Sequence, residues 1–182
     1  MRILLLSCSL NPESRSARLL KLAQSAITEA DPTAKIDGID LRDLDLPLCD
    51  AGPAYRHPAV KALSNKILQA DAVILGLPIY NYDVNAAAKN AIELTGRAWT
   101  DKVVGFVCSA GGQGSYMSVM ALANSLMLDF RCLVVPRFVY ATEDAVRDDG
   151  KVQQVVYDRI NTLGAEVVRI TRALAPVQAE QV

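Results

Sequence analysis

The sequence predicts a single α/β domain, residues 1–182, in which helices cover both faces of a parallel sheet. Short apolar segments alternate with segments of helical periodicity, which indicates five strands and five helices. The segments at residues 71–77 and 102–108 are almost continuously apolar, as expected of strands that are buried on both faces. No repeat or linker interrupts this alternation, and a chain of 182 residues can bury a core of its own.

The first half of the chain supplies two strands and two helices. Residues 2–7 form an apolar strand, and the helical periodicity that begins at Ala17 ends before Pro32, because the residue before a proline disfavours the helical conformation. Residues 35–41 carry charges, which indicates a strand at the periphery of the sheet. A long connection then leads to Pro58, a residue type suited to the first turn of a helix.

The second half of the chain continues the alternation. Its remaining elements are a helix at about residues 85–94, a helix that ends near residue 130, a fifth strand at residues 132–135 and a last helix at about residues 152–174. Pro136 ends the fifth strand, because proline lacks a backbone N–H. Residues 138–140 either extend that strand or form an interface, and residues 176–182 are expected to be a disordered tail.

Composition and charge exclude several classes of protein. Hydrophobic residues make up 51% of the chain and the net charge is −1, which argues against a nucleic-acid or membrane-surface partner. The four cysteines lack metal-ligand spacing, so no metal site is predicted. The opening apolar segment is too short for a signal peptide, and no segment approaches the length of a membrane span. We therefore expect a cytoplasmic protein with reduced cysteines.

The loop after the first strand has the chemistry of a phosphate pocket. A strand that leads into a helix presents backbone N–H groups and the positive end of the helix dipole to an anion. The loop adds three hydroxyls, an amide and a positive charge, from Ser9, Asn11, Ser14, Arg15 and Ser16. The alternative is that these serines only cap the helix.

Two further loops follow the third and fourth strands, and the carboxyl ends of such strands are where α/β sheets bind ligands. These loops contain Pro78, Ile79, Tyr80 and Asn81, and Ser109, Ala110, Gly111, Gly112 and Gln113. They offer an apolar wall, aromatic rings and glycines that let the backbone approach a ligand closely. A flat ring joined to a phosphate fits all three loops, and flavin mononucleotide (FMN) fits best. His57 is expected to face solvent, and no catalytic side chain is predicted.

Three motifs in combination resemble the NAD(P)H-dependent FMN reductases of the flavodoxin-like superfamily, over roughly residues 2–172. Residues 9–16 are similar to the Ser-x-Arg-x-x-Ser phosphate loop of that family. Residues 78–81, continuing to 89–93, are similar to its Pro-x-Tyr-Asn and Leu-Lys-Asn-x-x-Asp stretches, and residues 109–112 provide the third match. Asn11 stands where the family usually has Arg, and Ile79 where Glu is common.

The resemblance implies a flavodoxin-like three-layer sandwich with a five-stranded parallel sheet in the order 2-1-3-4-5. It implies that NADPH or NADH reduces FMN, which passes electrons to a small acceptor such as a flavin, a quinone, an azo dye or a metal oxyanion. The first loop would bind the FMN phosphate, and the two later loops would hold the flavin ring. A homodimer or homotetramer is expected, with Trp99, Phe138 and Tyr140 as interface contacts or as core residues.

Two alternatives come from other classes of protein. A flavodoxin-type electron carrier would share the fold, but such carriers are strongly acidic and this chain is nearly neutral. A low-molecular-weight phosphatase has a Cys-x5-Arg-Ser loop in the same place. Here six residues separate Cys8 from Arg15, which would misplace the nucleophile.

Overall fold

The structure, a computed structural model of the chain, describes residues 1–147 and 150–175. The strands are β1 (Arg2–Ser7), β2 (Lys35–Asp40), β3 (Ala72–Tyr80), β4 (Asp83–Val84), β5 (Val103–Ala110), β6 (Leu133–Val134) and β7 (Val139–Thr142). The α-helices are α1 (Arg15–Ala30), α2 (Pro58–Gln69), α3 (Ala86–Thr95), α4 (Met120–Phe130) and α5 (Gln154–Leu174). The tail predicted at residues 176–182 lies outside the described residues.

The sheet has the expected parallel order, β2-β1-β3-β5-β6, but the described residues form seven strands rather than the five predicted. One addition is β4, which pairs antiparallel with the end of β3. The other addition arises because two short strands lie side by side with β5 where one fifth strand was predicted: β6 pairs with the start of β5 and β7 with its end. Between them lie Pro136, which has no N–H to donate, and Arg137, whose φ of 59° breaks the extended conformation.

Two hydrophobic layers cover the sheet because side chains alternate along each strand. Leu4 and Leu6 of β1 face a core that is completed by α2, α3 and α4. Ile3 and Leu5 face a second core, which α1 and α5 complete. The sheet thus lies between two helical layers, as the sequence predicts.

The structure shows the roles of several side chains that the sequence analysis could not assign. Trp99 is buried and donates from Nε1 to Thr95 Oγ1 at 2.7 Å, so it is a core residue. Tyr140 is also buried. His57 caps α2 by accepting from the Ala59 N–H at 3.3 Å. Within residues 1–147 and 150–175, no helix is both long enough and apolar enough to cross a bilayer.

Candidate functional site

The three loops singled out in the sequence meet at one cavity of about 400 Å³ at the carboxyl edge of the sheet. Its lining is Ser9, Asn11, Glu13, Ser14, Arg15, Ser16, Pro78, Ile79, Tyr80, Ser109, Ala110 and Gly111. Asn81, Gly112 and Gln113 lie outside this lining, and Glu13 is a lining residue that the prediction missed. A cavity of about 500 Å³ at the opposite edge adjoins the amino ends of the strands, where sheets of this kind do not bind ligands.

The phosphate loop, residues 9–16, is held in shape by its own hydrogen bonds. Ser9 Oγ accepts from the Asn11 N–H at 3.2 Å, and Asn11 Oδ1 accepts from the Glu13 N–H at 2.9 Å. Ser14 Oγ accepts from the Ala17 N–H at 3.1 Å, so Ser14 caps α1, and it lies 3.0 Å from Ser16 Oγ. The helix begins at Arg15, two residues before the predicted start. Ser14 therefore has two roles: it caps α1 and it lines the cavity.

Gly76 and Asn85 lie outside the loop and fix its position through hydrogen bonds to Cys8, and the prediction missed both. The Cys8 N–H donates to the Gly76 carbonyl at 2.9 Å, and Asn85 Nδ2 donates to the Cys8 carbonyl at 2.7 Å. A side-chain carbon added at Gly76 would lie 3.3 Å from the Ser16 carbonyl oxygen. Gly76 therefore lets the first turn of α1 approach β3 closely. A glycine inside an apolar strand was the available signal for this contact.

The charge at the cavity comes from Arg15, which is paired with a residue far away in the sequence. Arg15 Nη2 lies 2.7 Å from Glu143 Oε1, just after β7. Of the described residues that line the cavity, Arg15 is the one cation, and Glu13 adds a carboxylate. No local pattern connects Arg15 with Glu143, because they lie 128 positions apart in the sequence.

The second predicted loop is mostly strand. β3 continues through Pro78 and Ile79 to Tyr80, so the prediction that these three residues belong to a loop is wrong. Asn81 and Tyr82 have φ values of 51° and 64°, typical of the two central residues of a tight hairpin turn. This turn leads directly into β4. Ile79 is buried and Tyr80 half-exposed, so this strand end forms a rigid wall of the cavity.

The third loop leaves open space where it follows β5. A side-chain carbon added at Gly111 or Gly112 meets no described atom within 4 Å. The φ of Gly112 is −161°, an extended value that any residue adopts, so the glycine serves here to leave space. The Gly112 carbonyl accepts from the Tyr140 hydroxyl at 2.6 Å. Gln113 Nε2 lies 3.4 Å from Thr142 Oγ1.

These features fit FMN. One end of the cavity offers hydroxyls, backbone N–H groups and the Arg15 guanidinium, which are the donors that a phosphate requires. The other end offers the apolar wall at Ile79, the ring of Tyr80 and a backbone without side chains at Gly111. Flat rings are commonly held by such apolar surfaces with a few polar backbone groups.

The geometry of Cys8 argues against the phosphatase alternative. Cys8 is fully buried, and Sγ lies 3.6 Å from the Leu6 carbonyl oxygen. Burial, and then the charges of Asp40 and Cys108, raise the pKa of the Cys8 thiol. A phosphatase requires an exposed thiolate at this position, because only the thiolate is nucleophilic. Cys8 is instead a protonated core residue.

Comparison with known proteins agrees with the site. The family model described as NADPH-dependent FMN reductase matches residues 1–146. An NADPH:quinone oxidoreductase of Arabidopsis thaliana is 32% identical over 143 residues, which are 76% of this chain and 73% of that protein. An NAD(P)H-dependent FAD/FMN reductase of Geobacillus thermodenitrificans (strain NG80-2) is 28% identical, over 82% of this chain and 84% of that protein.

The fold comparison points the same way. An oxidoreductase from Corynebacterium diphtheriae superposes with a TM-score of 0.80 at 16% identity, covering 94% of this chain and 97% of that one. The fold is therefore the flavodoxin-like α/β fold. The family match also identifies an enzyme rather than an electron carrier, with FMN as cofactor and NAD(P)H as reductant. The chain belongs to the NADPH-dependent FMN reductase family.

Proposed function

We propose that this enzyme reduces quinones with electrons from NADPH or NADH, using FMN held in the 400 Å³ cavity. The observation that carries the proposal is the convergence of the three loops on that cavity. Quinone is the acceptor class in the name of the Arabidopsis thaliana relative. In such a reaction NAD(P)H gives up a hydride, that is, two electrons and one proton. The quinone takes up two electrons and two protons, so the second proton comes from solvent.

The chain's own residues would bind and orient, while FMN supplies the hydride and electron transfer when bound. Ser9, Asn11, Ser14, Arg15 and Ser16 would hold the phosphate. The ring would lie against residues 78–81 and 109–113, where buried Ile79 and the backbone at Gly111 exclude water from one side. Half-exposed Tyr80 leaves the other side open to a second flat molecule. No side-chain acid or base is required, because solvent supplies the second proton.

FMN and riboflavin, which lacks the phosphate, provide a matched test of the cavity. Titration of each into flavin-free protein should show FMN binding about 100-fold more tightly, because several charge-assisted hydrogen bonds depend on the phosphate. Anaerobic addition of NADPH or NADH should then bleach the flavin band without a second protein, and a quinone should restore it. Equal affinity for both flavins would contradict the phosphate pocket. A band that NAD(P)H cannot bleach would contradict the enzyme.

A homodimer would cover an apolar stripe on α4. Met127 and Leu128 lie seven and eight positions after Met120, about two helical turns, so these three exposed side chains lie on one side of α4. Met117, just before α4, is also exposed. Exposed apolar side chains that cluster on one side of a helix are typical of an interface. Leu128→Glu should give a monomer in sedimentation velocity, whereas Leu68→Glu on α2 should sediment like the wild type. A wild-type monomer would contradict the dimer.

We also place the enzyme in the cytoplasm. All four cysteines of the chain lie in the described part, and all four are free thiols. Free thiols in this number are typical of a reducing compartment. Fractionation of cells that express the tagged chain should recover it with cytosolic markers.

A further inference from the structure

Strand β7 presents one side to residues 111–116, which we call the glycine loop. Tyr140 and Thr142 alternate with Val139 and Ala141, so the two pairs point to opposite sides of the sheet, and Phe138 directly precedes the strand. Val139 and Ala141 pack into the core beneath α1 and α5. The other three side chains each contact the glycine loop.

These three side chains make four contacts with the loop. The Tyr140 hydroxyl donates to the Gly112 carbonyl at 2.6 Å. Thr142 Oγ1 accepts from Gln113 Nε2 at 3.4 Å. The Tyr116 ring stacks on Phe138, with centroids 5.0 Å apart, and meets the Tyr140 ring edge-on at 5.3 Å. Phe138 and two residues of β7 therefore support the loop at Gly112, Gln113 and Tyr116.

The hydrogen bond to Gly112 fixes the direction of a peptide group. Every peptide bond among the described residues is trans, and a trans peptide is planar, with its C=O and N–H pointing in opposite directions. The Gly112 carbonyl accepts from the hydroxyl of Tyr140, which is 7% exposed, so it points inward to β7. The Gln113 N–H of the same peptide therefore points away from β7, and Gly111, at the start of the loop, lines the cavity.

We propose that Tyr140 is a positioning residue for the flavin: by holding the Gly112 carbonyl inward, it presents the Gln113 N–H to the flavin ring. A fixed N–H dipole stabilises a ring that has gained electrons more than an oxidised one. Tyr140 thereby raises the midpoint potential of bound FMN without touching it. This inference rests on the proposed function, because it requires FMN in the cavity.

Tyr140→Phe tests the inference by deleting a single oxygen atom. In the FMN-loaded protein, the ratio of affinities for reduced and oxidised FMN should fall about tenfold, the size of one lost hydrogen bond. For a two-electron couple this equals about 30 mV. In the flavin-free protein, amide hydrogen exchange in residues 112–116 should speed up about tenfold. Tyr116→Phe is the matched control, since it removes a hydroxyl from the same aromatic cluster but leaves the bond to Gly112.

The outcomes are distinguishable. An unchanged midpoint potential in Tyr140→Phe, or an equal shift in Tyr116→Phe, would overturn the inference. Thr142→Val removes the neighbouring contact to Gln113 and should shift the potential in the same direction by less, which provides a second test if Tyr140→Phe folds poorly. If wild-type protein does not bind FMN, the proposed function fails, whereas the exchange measurement still shows whether Tyr140 orders the loop.

Discussion

Ser14 combines two roles at the residue scale, as helix cap and as lining of the cavity. Its hydroxyl accepts from the Ala17 N–H and lies beside Ser16 Oγ. Ser14→Ala should lower the free energy of unfolding by about 1 kcal/mol, the usual value of an N-cap. It should also weaken FMN binding by about 1–3 kcal/mol, because a phosphate donor is lost. Denaturant titration and FMN titration measure the two effects separately.

Ser25→Ala is the control for this variant, because Ser25 is exposed on the same helix. It should change neither quantity. A Ser14→Ala protein that loses stability but keeps its FMN affinity would show that Ser14 is only a cap.

For Cys8 we predict the opposite of Ser14: its substitution should leave FMN binding intact. Its thiol is buried against the Leu6 carbonyl, and burial raises its pKa, so it is neither exposed nor ionised. Cys8→Ser should keep FMN binding and NAD(P)H oxidation, with a stability loss of about 1–2 kcal/mol from placing a hydroxyl in an apolar site. Hydrolysis of an aryl phosphate by the wild type that disappears in Cys8→Ser would contradict this assignment.

At the scale of elements, Gly76 determines how closely α1 approaches β3. A side-chain carbon at this position would lie 3.1 Å from Leu20 Cδ2 and 3.3 Å from the Ser16 carbonyl oxygen. Gly76→Ala should therefore push the first turn of α1 outward and destabilise the protein by about 1–3 kcal/mol. FMN affinity should fall as well, because the turn carries Ser14 and Ser16.

Gly38→Ala is a matched control, since Gly38 also lies in a strand and an added carbon there meets no described atom within 4 Å. It should bind FMN like the wild type. Equal losses of FMN affinity in Gly76→Ala and Gly38→Ala would mean that alanine affects the strands in general and that the position of α1 is not critical.

Local pattern was enough to predict most elements, but not the contacts between them. The sequence located α1, β1 and the start of α2 to within about two residues, because each element buries one face or both. The hairpin at Asn81 was missed, because it lacks the Asn-Gly pair that marks such turns.

The contacts from Asn85, Tyr140 and Glu143 were also missed. They join residues between 28 and 128 positions apart, and such pairs leave no local pattern in one sequence.

At the scale of the whole molecule, Asp31 joins the ends of the two helices that cover one face. It accepts from Thr33 Oγ1 at 2.6 Å and lies 2.9 Å from Arg172 Nη2 of α5. The hydrogen bonds from Thr33, and then the Arg172 charge, lower the pKa of Asp31 from 3.8 to about 2. A lowered pKa stabilises the fold above pH 3.8, and this contribution disappears as the pH falls towards 2.

Asp31→Asn should therefore be less stable than the wild type at neutral pH. The difference between their melting temperatures should stay constant down to about pH 4 and shrink between pH 4 and 2. Thermal unfolding over this range measures it. A difference that persists unchanged at pH 2 would show that the charge of Asp31 is not the cause.

The convergence of the loops is the whole-molecule property that the sequence predicted best. Parallel strands place their carboxyl ends at one edge, so loops that follow β1, β3 and β5 must meet whatever their composition. Which residues line the resulting cavity depends on side-chain packing. Glu13, which was not predicted, lines the cavity, whereas Asn81 lies outside its lining.

The burial of Cys8 and Cys108 has a chemical consequence. Each directly precedes a lining serine, Ser9 or Ser109, and burial raises the pKa of both thiols. Quinones are electrophiles that alkylate thiolates, so exposed cysteines here would let the proposed acceptor inactivate the enzyme. Protonated and covered, these two sulfurs resist alkylation. After prolonged turnover with a quinone, mass spectrometry should find adducts on half-buried Cys49 and none on Cys8 or Cys108.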